Sequence, residues 1–168
     1  MTMPTATTPA TTADVPVQKS VTVKASAERA FRTFTEDFDS WWPKSHHIGS
    51  SPLTQSVIEG RVGGRCYAEQ EDGTDCPWGT ILAWEPPHRL VMAWQITPEW
   101  KYQPDLAQAS EVELRFTPIG NGLTRVDLEH RHFARHGAGA DAMRVGVSGP
   151  DGWAALLTLF AAAAEAAA

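Results

Sequence analysis

Trp78-Gly-Thr-Ile-Leu-Ala-Trp-Glu-Pro-Pro-His-Arg-Leu-Val-Met-Ala-Trp94 is the stretch that decides the fold. It predicts two β-strands, over 78–84 and 90–96, joined by a turn at Pro86-Pro87, because proline sets φ for a turn and donates no ladder hydrogen bond. Three of its side chains are tryptophans. A closed core rarely needs three indoles on one hairpin, whereas a concave sheet can use them to line a cavity. The stretch therefore indicates a binding cavity more clearly than it indicates a reaction.

The flanking sequence predicts that this hairpin belongs to an antiparallel sheet. Between residues 53 and 96, strand-length segments are separated only by turn signals at 63–64, 72–73 and 86–87. Such spacings leave no room for a crossover helix, so successive strands must run antiparallel. After a polar excursion, two more strands are predicted on either side of a turn at 120–122.

Helices are predicted at both ends of the chain. A strand over 19–24 precedes Ser26, a helix N-cap residue, and apolar residues then recur at helical spacing as far as Pro43. Near the C-terminus, Ser148-Gly-Pro-Asp-Gly152 predicts the start of a long helix with one apolar face. The predicted fold is α+β, in which a curved antiparallel sheet of six or seven strands wraps around the C-terminal helix and two short helices follow strand 1.

Composition narrows the classes of partner. The 168 residues suffice for one domain with a real core, and the formal net charge of −6 comes from interspersed acidic and basic residues. Without a basic stripe, neither nucleic acid nor an anionic membrane is an expected partner, and no apolar run reaches membrane-spanning length. Residues 1–16 predict a mobile tail without the features of a signal or transit peptide. We therefore predict a cytoplasmic protein with a single domain over 17–168.

Whether the two cysteines can form a disulfide depends on the register of one hairpin. If residues 72–73 form a two-residue loop, the numbers of cross-strand partners sum to 145 (72 + 73). Cys66 then faces Gly79, and Cys76 faces Glu69. This register puts the thiols on opposite faces of the sheet and disfavours a disulfide, whereas a one-residue bulge would reverse the parity.

An ordered set of motifs resembles one known superfamily. Asp37-Phe-Asp-Ser-Trp-Trp-Pro43, Gly63-Gly-Arg65, the segment 79–90 and Gly152-Trp153 follow the order found in the START-like (SRPBCC, helix-grip) superfamily. The branch they resemble is that of domains similar to the heat-shock-protein-90 ATPase activator, and the resemblance extends from about residue 17 to the end. It implies a helix-grip fold around an apolar cavity and suggests contact with a chaperone. It does not imply one activity, because the superfamily includes lipid carriers, hormone binders and cyclases.

The aromatic residues of the predicted sheet and helices define a candidate ligand site. A small, mainly apolar molecule is expected to bind between the curved sheet and the C-terminal helix. His130 and His132, predicted on one face of one strand, would orient it. The apolar residues expected to contact it are Phe38, Trp41, Trp42, Trp78, Met92, Trp94, Phe116, Trp153 and Leu157.

His130 and His132 leave a chemical alternative open. As cavity imidazoles they could move a proton in a cyclase or dehydratase, although no nucleophile or oxyanion motif accompanies them. Neither metal nor another cofactor is predicted, because no third ligand stands at a telling spacing. A third alternative is a chaperone-activator-like interaction module that uses the outer face or edge of the sheet. The sequence does not specify the oligomeric state.

Two further features each allow two interpretations. His46-His47 follows a helix-ending proline, and we favour a solvated loop over a gate above the cavity. Trp100 lies in the polar excursion between strands, where anchoring its loop is favoured over acting as a lid.

Overall fold

The computed structural model describes residues 15–167, so residues 1–14 of the predicted tail over 1–16 lie outside the described residues. One sheet of seven antiparallel strands, in the order β1-β7-β6-β5-β4-β3-β2, curls around the C-terminal helix. This α+β architecture confirms the predicted fold. The strands are β1 (Val17–Val23), β2 (Leu53–Ile58), β3 (Arg65–Gln70), β4 (Asp75–Glu85), β5 (Arg89–Trp94), β6 (Ser110–Gly120) and β7 (Leu123–Arg131). The helices are α1 (Ala27–Thr35), α2 (Phe38–Trp41), α3 (Ala140–Ser148) and α4 (Trp153–Ala166), with short 3₁₀ helices at Leu106–Gln108 and Phe133–His136.

Helix α1 forms where the sequence predicts it. The Ser26 hydroxyl accepts a hydrogen bond from the backbone N–H of Arg29 at 3.2 Å, which caps the first turn. Phe31 and Phe34, three residues apart, lie on the buried face, and both rings contact Phe116 of the sheet. The amphipathic pattern of α1 therefore fixes how the helix packs across one end of the sheet.

The C-terminal region contains one helix more than the sequence predicts. Helix α3 has Gly146 in its interior, between the β-branched residues Val145 and Val147, so its intrinsic helix propensity is low. Ser148, predicted to cap the last helix, is instead the final residue of α3. Helix α4 begins at Trp153 with Gly152 as its N-cap. The prediction of Ser148 as the N-cap of the last helix was therefore wrong, while the prediction of a long terminal helix is confirmed.

The hairpin between β3 and β4 departs from the register of a two-residue loop. Cys66 pairs with Gly79 as predicted, but Cys76 pairs with Ala68 and not with Glu69. Because cross-strand partners share a face and Ala68 is two residues from Cys66, both cysteines lie on the same face of the sheet. Both are free thiols.

The change in register comes from the loop. The backbone N–H of Gln70 bonds to the carbonyl of Thr74 at 3.0 Å, which leaves three residues in the turn. The last of them, Gly73, has φ of 85°, a left-handed conformation that glycine adopts at little cost. A compensating shift between Cys66 and Tyr67 restores the predicted pairing farther from the turn.

Charged side chains on the outer face of the sheet pair with one another. Glu113, 7% exposed, lies within 3.2 Å of guanidinium nitrogens of Arg89, Arg115 and Arg131. Burial raises the pKa of Glu113, but the hydrogen bond from Arg89 and the three positive charges outweigh it and hold the pKa below its ordinary value. This face is therefore charged but internally neutralised. Among residues 15–167, no helix combines the length and apolar character needed to cross a bilayer.

Candidate functional site

A half-open pocket of about 390 Å³ lies at one end of the sheet, where β4, β5 and the start of α4 meet. We call it the tryptophan pocket. Its interior is aromatic and aliphatic, and the exposed polar residues Ser45, His46 and Asp151 stand at its mouth. An apolar interior with few polar groups is typical of sites for small molecules. The lining residues are Trp42, Ser45, His46, His47, Ile48, Trp78, Trp94, Ile96, Trp100, Gly146, Val147, Asp151, Gly152, Trp153 and Leu156.

Four of the lining tryptophans form a closed ring of contacts. The ring centroids lie 6.0 Å apart for Trp42 and Trp78, and 5.7 Å apart for Trp78 and Trp94. The ring closes through Trp94 and Trp153 at 5.7 Å and through Trp153 and Trp42 at 6.1 Å. Only the first pair is parallel, with 5° between the planes, whereas the others are steeply inclined. Each indole is therefore held by two others while it borders the pocket.

Different elements place these four indoles. Trp42 follows the end of α2, and its N–H donates to the carbonyl of His46 at 2.8 Å. Trp78 and Trp94 stand on the hydrogen-bonded strands β4 and β5, one position out of register. Trp153 is the first residue of α4, where the helix enters the concave side of the sheet. The local hairpin thus brings two of the indoles together, and packing of the helices adds the other two.

The indole N–H of Trp94 has no hydrogen-bond partner. Trp94 is 5% exposed, and its Nε1 is the one buried side-chain polar atom without a partner in the part of the chain that the structure describes. An unpaired buried donor costs about 1–3 kcal/mol. A ligand acceptor that reaches this nitrogen would recover part of that cost.

The loop after α2 forms the mouth of the pocket. The Nε2–H of His46 donates to the carbonyl of Asp151 at 3.1 Å, since a carbonyl can only accept. In the neutral imidazole, Nδ1 then accepts from the hydroxyl of Ser45 at 3.1 Å. The loop is thereby tied to the connection between α3 and α4. His46 and His47 both line the pocket, as the gate interpretation requires and the solvated-loop interpretation does not.

Trp100 lies over the pocket from the loop between β5 and β6. Its backbone has φ of 61°, which is uncommon for a residue with a side chain, and the residue is 48% exposed. A Cβ added to Gly146 of α3 would lie 3.4 Å from the Trp100 indole, so the ring rests against the bare backbone of that helix. Trp100 therefore both anchors its loop on α3 and borders the pocket.

The structure places the predicted apolar ligand residues in two groups. Four of them line the pocket: Trp42, Trp78, Trp94 and Trp153. The other five lie in the surrounding core: Phe38, Trp41, Met92, Phe116 and Leu157. Within that group, Phe38 stacks directly behind Trp42, with 4.7 Å between the ring centroids. Phe116 packs against Phe31 of α1, with 5.2 Å between the ring centroids, and does not lie beside the four tryptophans.

The structure separates His130 from His132. Strand β7 ends at Arg131 and His132 has φ of 65°, so the two imidazoles do not share a strand face as predicted. His130 is fully buried behind Trp94 and Trp153. Burial, with a smaller effect of the nearby His136, lowers the pKa of His130 well below its ordinary value, so the ring is neutral at physiological pH. His132 is at the surface, and no three His, Cys, Asp or Glu residues in 15–167 form a group that could hold a metal ion.

Several lining residues were not predicted from the sequence. Ile48, Ile96 and Val147 come from loops and from α3, and they meet only when the chain folds. Two of the lining residues had a signal in the sequence. Leu156 lies on the predicted apolar face of the last helix beside Leu157, and Ile96 ends the predicted strand over 90–96, two residues after Trp94. Which of those two leucines faces the pocket depends on the rotation of α4 against the sheet.

Comparisons with known proteins support the same architecture. A family model described as "Activator of Hsp90 ATPase homolog 1-like protein" matches residues 24–165. Among solved structures, the anthrahydroquino-γ-pyrone synthase Txn09 is 42% identical over 90% of this chain and 98% of that chain, with a TM-score of 0.64. The self-sacrificing resistance protein CalC from Micromonospora echinospora is 33% identical over 92% of this chain and 97% of that chain, with a TM-score of 0.67.

A more distant structure shares the fold alone. Protein NE0264 from Nitrosomonas europaea is 17% identical over 93% of this chain and 97% of that chain, with a TM-score of 0.65. No curated protein sequence matches the chain.

Proposed function

The chain belongs to the family of Activator of Hsp90 ATPase homolog 1-like proteins, and from that premise we propose that it binds a planar, mainly apolar polycyclic molecule in the tryptophan pocket. The observation that carries the proposal is the closed ring of four indoles around a pocket of about 390 Å³. That volume falls within the range of roughly 300–1,000 Å³ that is common for small-molecule sites. Indole faces and edges offer a planar aromatic ligand both stacked and edge-on contacts.

The chemistry of one similar protein narrows the class of ligand. The synthase that is 42% identical is named for a fused anthrahydroquinone and γ-pyrone, a flat ring system with several carbonyl and hydroxyl oxygens. Such a molecule suits an apolar pocket that has polar groups at its mouth. One carbonyl oxygen could also accept from the unpaired indole N–H of Trp94.

A hydroxyanthraquinone is a suitable probe for the first experiment. Titration of the purified protein with 1,8-dihydroxyanthraquinone is expected to quench tryptophan fluorescence saturably. Trp94→Ala removes one of the four indoles that surround the pocket. It is expected to weaken binding about tenfold or more, as loss of a buried aromatic anchor does. Trp94→Phe keeps a ring but removes the N–H, and it is expected to weaken binding about two- to tenfold, the usual worth of one hydrogen bond.

Trp84→Ala provides the matched control. Trp84 is a half-buried tryptophan on the same hairpin that packs against Phe31 and does not line the pocket. Its loss should leave the affinity for the probe unchanged. Absence of binding by the wild-type protein, or equal losses in Trp84→Ala and Trp94→Ala, would contradict the proposal.

Ring closure is a second candidate function, favoured by the identity to a ring-forming synthase. A γ-pyrone fused to an aromatic ring forms when a phenol oxygen attacks a carbonyl of a neighbouring 1,3-diketone chain and one water leaves. The attacked carbonyl oxygen gains two protons and leaves as that water: one proton comes from the phenol, and the other comes from the carbon between the two carbonyls as the ring double bond forms. His46 lines the pocket, and its imidazole could serve as the general base, whereas His130 is enclosed behind two indoles.

Turnover of a synthetic precursor tests this second function. A hydroxyanthraquinone with an adjacent 1,3-diketone chain would lose the mass of one water if the protein closes the ring. His46→Gln is expected to lower kcat about 100-fold, as loss of a general base does, with little change in the affinity for 1,8-dihydroxyanthraquinone. His88→Gln replaces an exposed histidine of the β4–β5 turn and is the control. An unchanged kcat in His46→Gln would remove His46 from the reaction.

Contact with a chaperone is a third function that the family description suggests. It would use the outer face or an edge of the sheet. The arginines around Glu113 are already paired on that face, so it offers a partner little unbalanced charge. Recovery of a chaperone by the wild-type protein and equally by Trp94→Ala would favour this function over the other two.

A further inference from the structure

A chain of hydrogen bonds leads from the tryptophan pocket to the surface of the protein. The indole N–H of Trp153 donates to Nδ1 of His130 at 3.0 Å. Nε2 of His130 lies 2.7 Å from the hydroxyl oxygen of Ser110, and the same oxygen lies 2.7 Å from Nε2 of His136. The four residues belong to α4, β7, β6 and the 3₁₀ helix after β7. His130 and Ser110 have no exposed surface.

Only one arrangement of protons gives each of these groups a partner. An indole can only donate, so Nδ1 of His130 must accept, and the neutral ring carries its proton on Nε2. That proton is donated to Ser110. The hydroxyl proton of Ser110 is then donated to Nε2 of His136, whose own proton must sit on Nδ1. The direction of the whole chain is thus set by the indole at its inner end.

The surroundings of the chain favour neutral rings. Phe133 stacks on His130 with 4.4 Å between the centroids, and Trp94 contacts it edge-on at 5.3 Å. Burial lowers the pKa of His136 as well as that of His130. None of the charged groups nearby bonds to Ser110 or to the ring of His136 within the described residues. These groups are Arg135 beside His136, Glu111 and Arg131 at the strand ends, Asp141 and Arg144 on α3, and Asp105 before the Leu106–Gln108 helix.

We propose that Ser110 and His136, neither of which lines the tryptophan pocket, are positioning residues that hold Trp153 in place through His130. The pocket keeps its shape only while both imidazoles are neutral. A proton added to Nε2 of His136 would turn the acceptor of Ser110 into a donor and leave the serine proton without a partner. A proton added to Nδ1 of His130 would face the N–H of Trp153, donor against donor, and release the indole from its position.

Nuclear magnetic resonance of the ¹⁵N-labelled, ligand-free protein tests this inference without relying on the proposed function. At about pH 7.5, the ring nitrogens are expected to show the Nε2–H form of His130 and the Nδ1–H form of His136. The indole proton of Trp153, assigned by its loss in Trp153→Phe, is expected to exchange slowly with solvent. On acidification through the titration of His136, its exchange should accelerate at least tenfold.

Variants of the outer two residues separate positioning from general stability. His136→Ala removes the acceptor and should accelerate exchange of the Trp153 indole proton already at neutral pH. His136→Gln places an amide oxygen where Nε2 stood, so it should restore slow exchange and shift the acid response to lower pH. Ser110→Ala should resemble His136→Ala, and Ser56→Ala, a buried serine of β2 outside the chain, should resemble the wild type.

A measurement of ligand binding rests on the proposed function, and its failure can be distinguished from a failure of the positioning role. His136→Ala is expected to weaken binding of 1,8-dihydroxyanthraquinone about three- to tenfold, with rescue in His136→Gln. The wild type and the variants could all fail to bind the probe while the protonation states of the imidazoles and the exchange rates of the Trp153 proton are as stated. That result would contradict the proposed function and leave the positioning role intact. The Nδ1–H or charged form of His130 at neutral pH overturns the inference even if Ser110→Ala does not fold. So does unchanged exchange of the Trp153 proton in His136→Ala.

Discussion

Replacement of Gly152 by alanine is expected to lower the free energy of unfolding by about 3 kcal/mol, the upper part of the range for a residue that overfills a packed site. A Cβ at this position would lie 2.1 Å from the carbonyl oxygen of Val147, which is backbone and cannot rotate away. The connection between α3 and α4 would have to open, and Trp153, the next residue, would move with it. Urea-induced unfolding followed by circular dichroism measures the change.

Gly149→Ala is the matched control in the same connection. A Cβ there would lie 3.4 Å from the nearest atom, the carbonyl oxygen of Val145, which is an ordinary contact. Its backbone is extended, with φ of −74° and ψ of −177°, so alanine fits without strain. We expect this variant to stay within about 0.5–1 kcal/mol of the wild type, since a compatible glycine-to-alanine change mainly affects the unfolded chain. Equal losses in the two variants would show that the close approach at Gly152 is unimportant.

Acidification from about pH 6.5 to pH 5 is expected to lower the free energy of unfolding by up to about 2 kcal/mol through His130 alone, at 1.4 kcal/mol per pH unit for one proton. The pKa of His130 in the folded protein lies well below its ordinary value because the ring is buried. The unfolded chain therefore binds a proton in this range that the folded protein does not bind. Stability is fully present above pH 6.5 and falls as the pH decreases. Unfolding by urea at a series of pH values measures the slope.

The pH window separates histidines from carboxylates. The pKa values of Glu113 and Asp127 are lowered from ordinary values near 4.5 and 3.8, so their contributions to stability are lost only at more acidic pH. His130→Gln does not titrate, and the slope between pH 6.5 and 5 should become shallower in this variant even if its overall stability is lower. His136→Gln should remove a smaller part of the slope. An identical slope in the wild type and His130→Gln would contradict the assignment.

The strands and the first helix could be predicted because their signals are local. Alternation of Val112, Leu114 and Phe116 and the spacing of Phe31 and Phe34 each follow from the geometry of a single element. The family resemblance added the way in which the sheet wraps around the last helix. The register of the β3–β4 hairpin was predicted wrongly, although the residues that set it are close together in the sequence. The hairpin at Gly73 took one more residue into its turn, and a compensating shift elsewhere in the strand depends on packing with its neighbours.

The candidate site could be predicted only in part. Trp78 and Trp94 stand on one hairpin, so their proximity follows from strand pairing that the sequence reveals. The sequence predicts that His130 orients the ligand, because an imidazole among apolar residues is a typical polar group of a binding site. In the folded protein, the indole of Trp153 and the hydroxyl of Ser110 use both of its ring nitrogens, and His136 is connected to it only through Ser110. No spacing in the sequence identifies the two direct partners of His130, which come from α4 and β6.

The sequence by itself determined the α+β fold, the antiparallel order of strands and the abundance of indoles near one end of the sheet. These follow from periodicity, turn chemistry and composition, which act over a few residues at a time. The tertiary structure alone decided which indoles border open space, and that His46, Trp100 and α3 complete the pocket. The reason is that a pocket is the space left between elements, so its shape depends on how helices pack and rotate against the sheet.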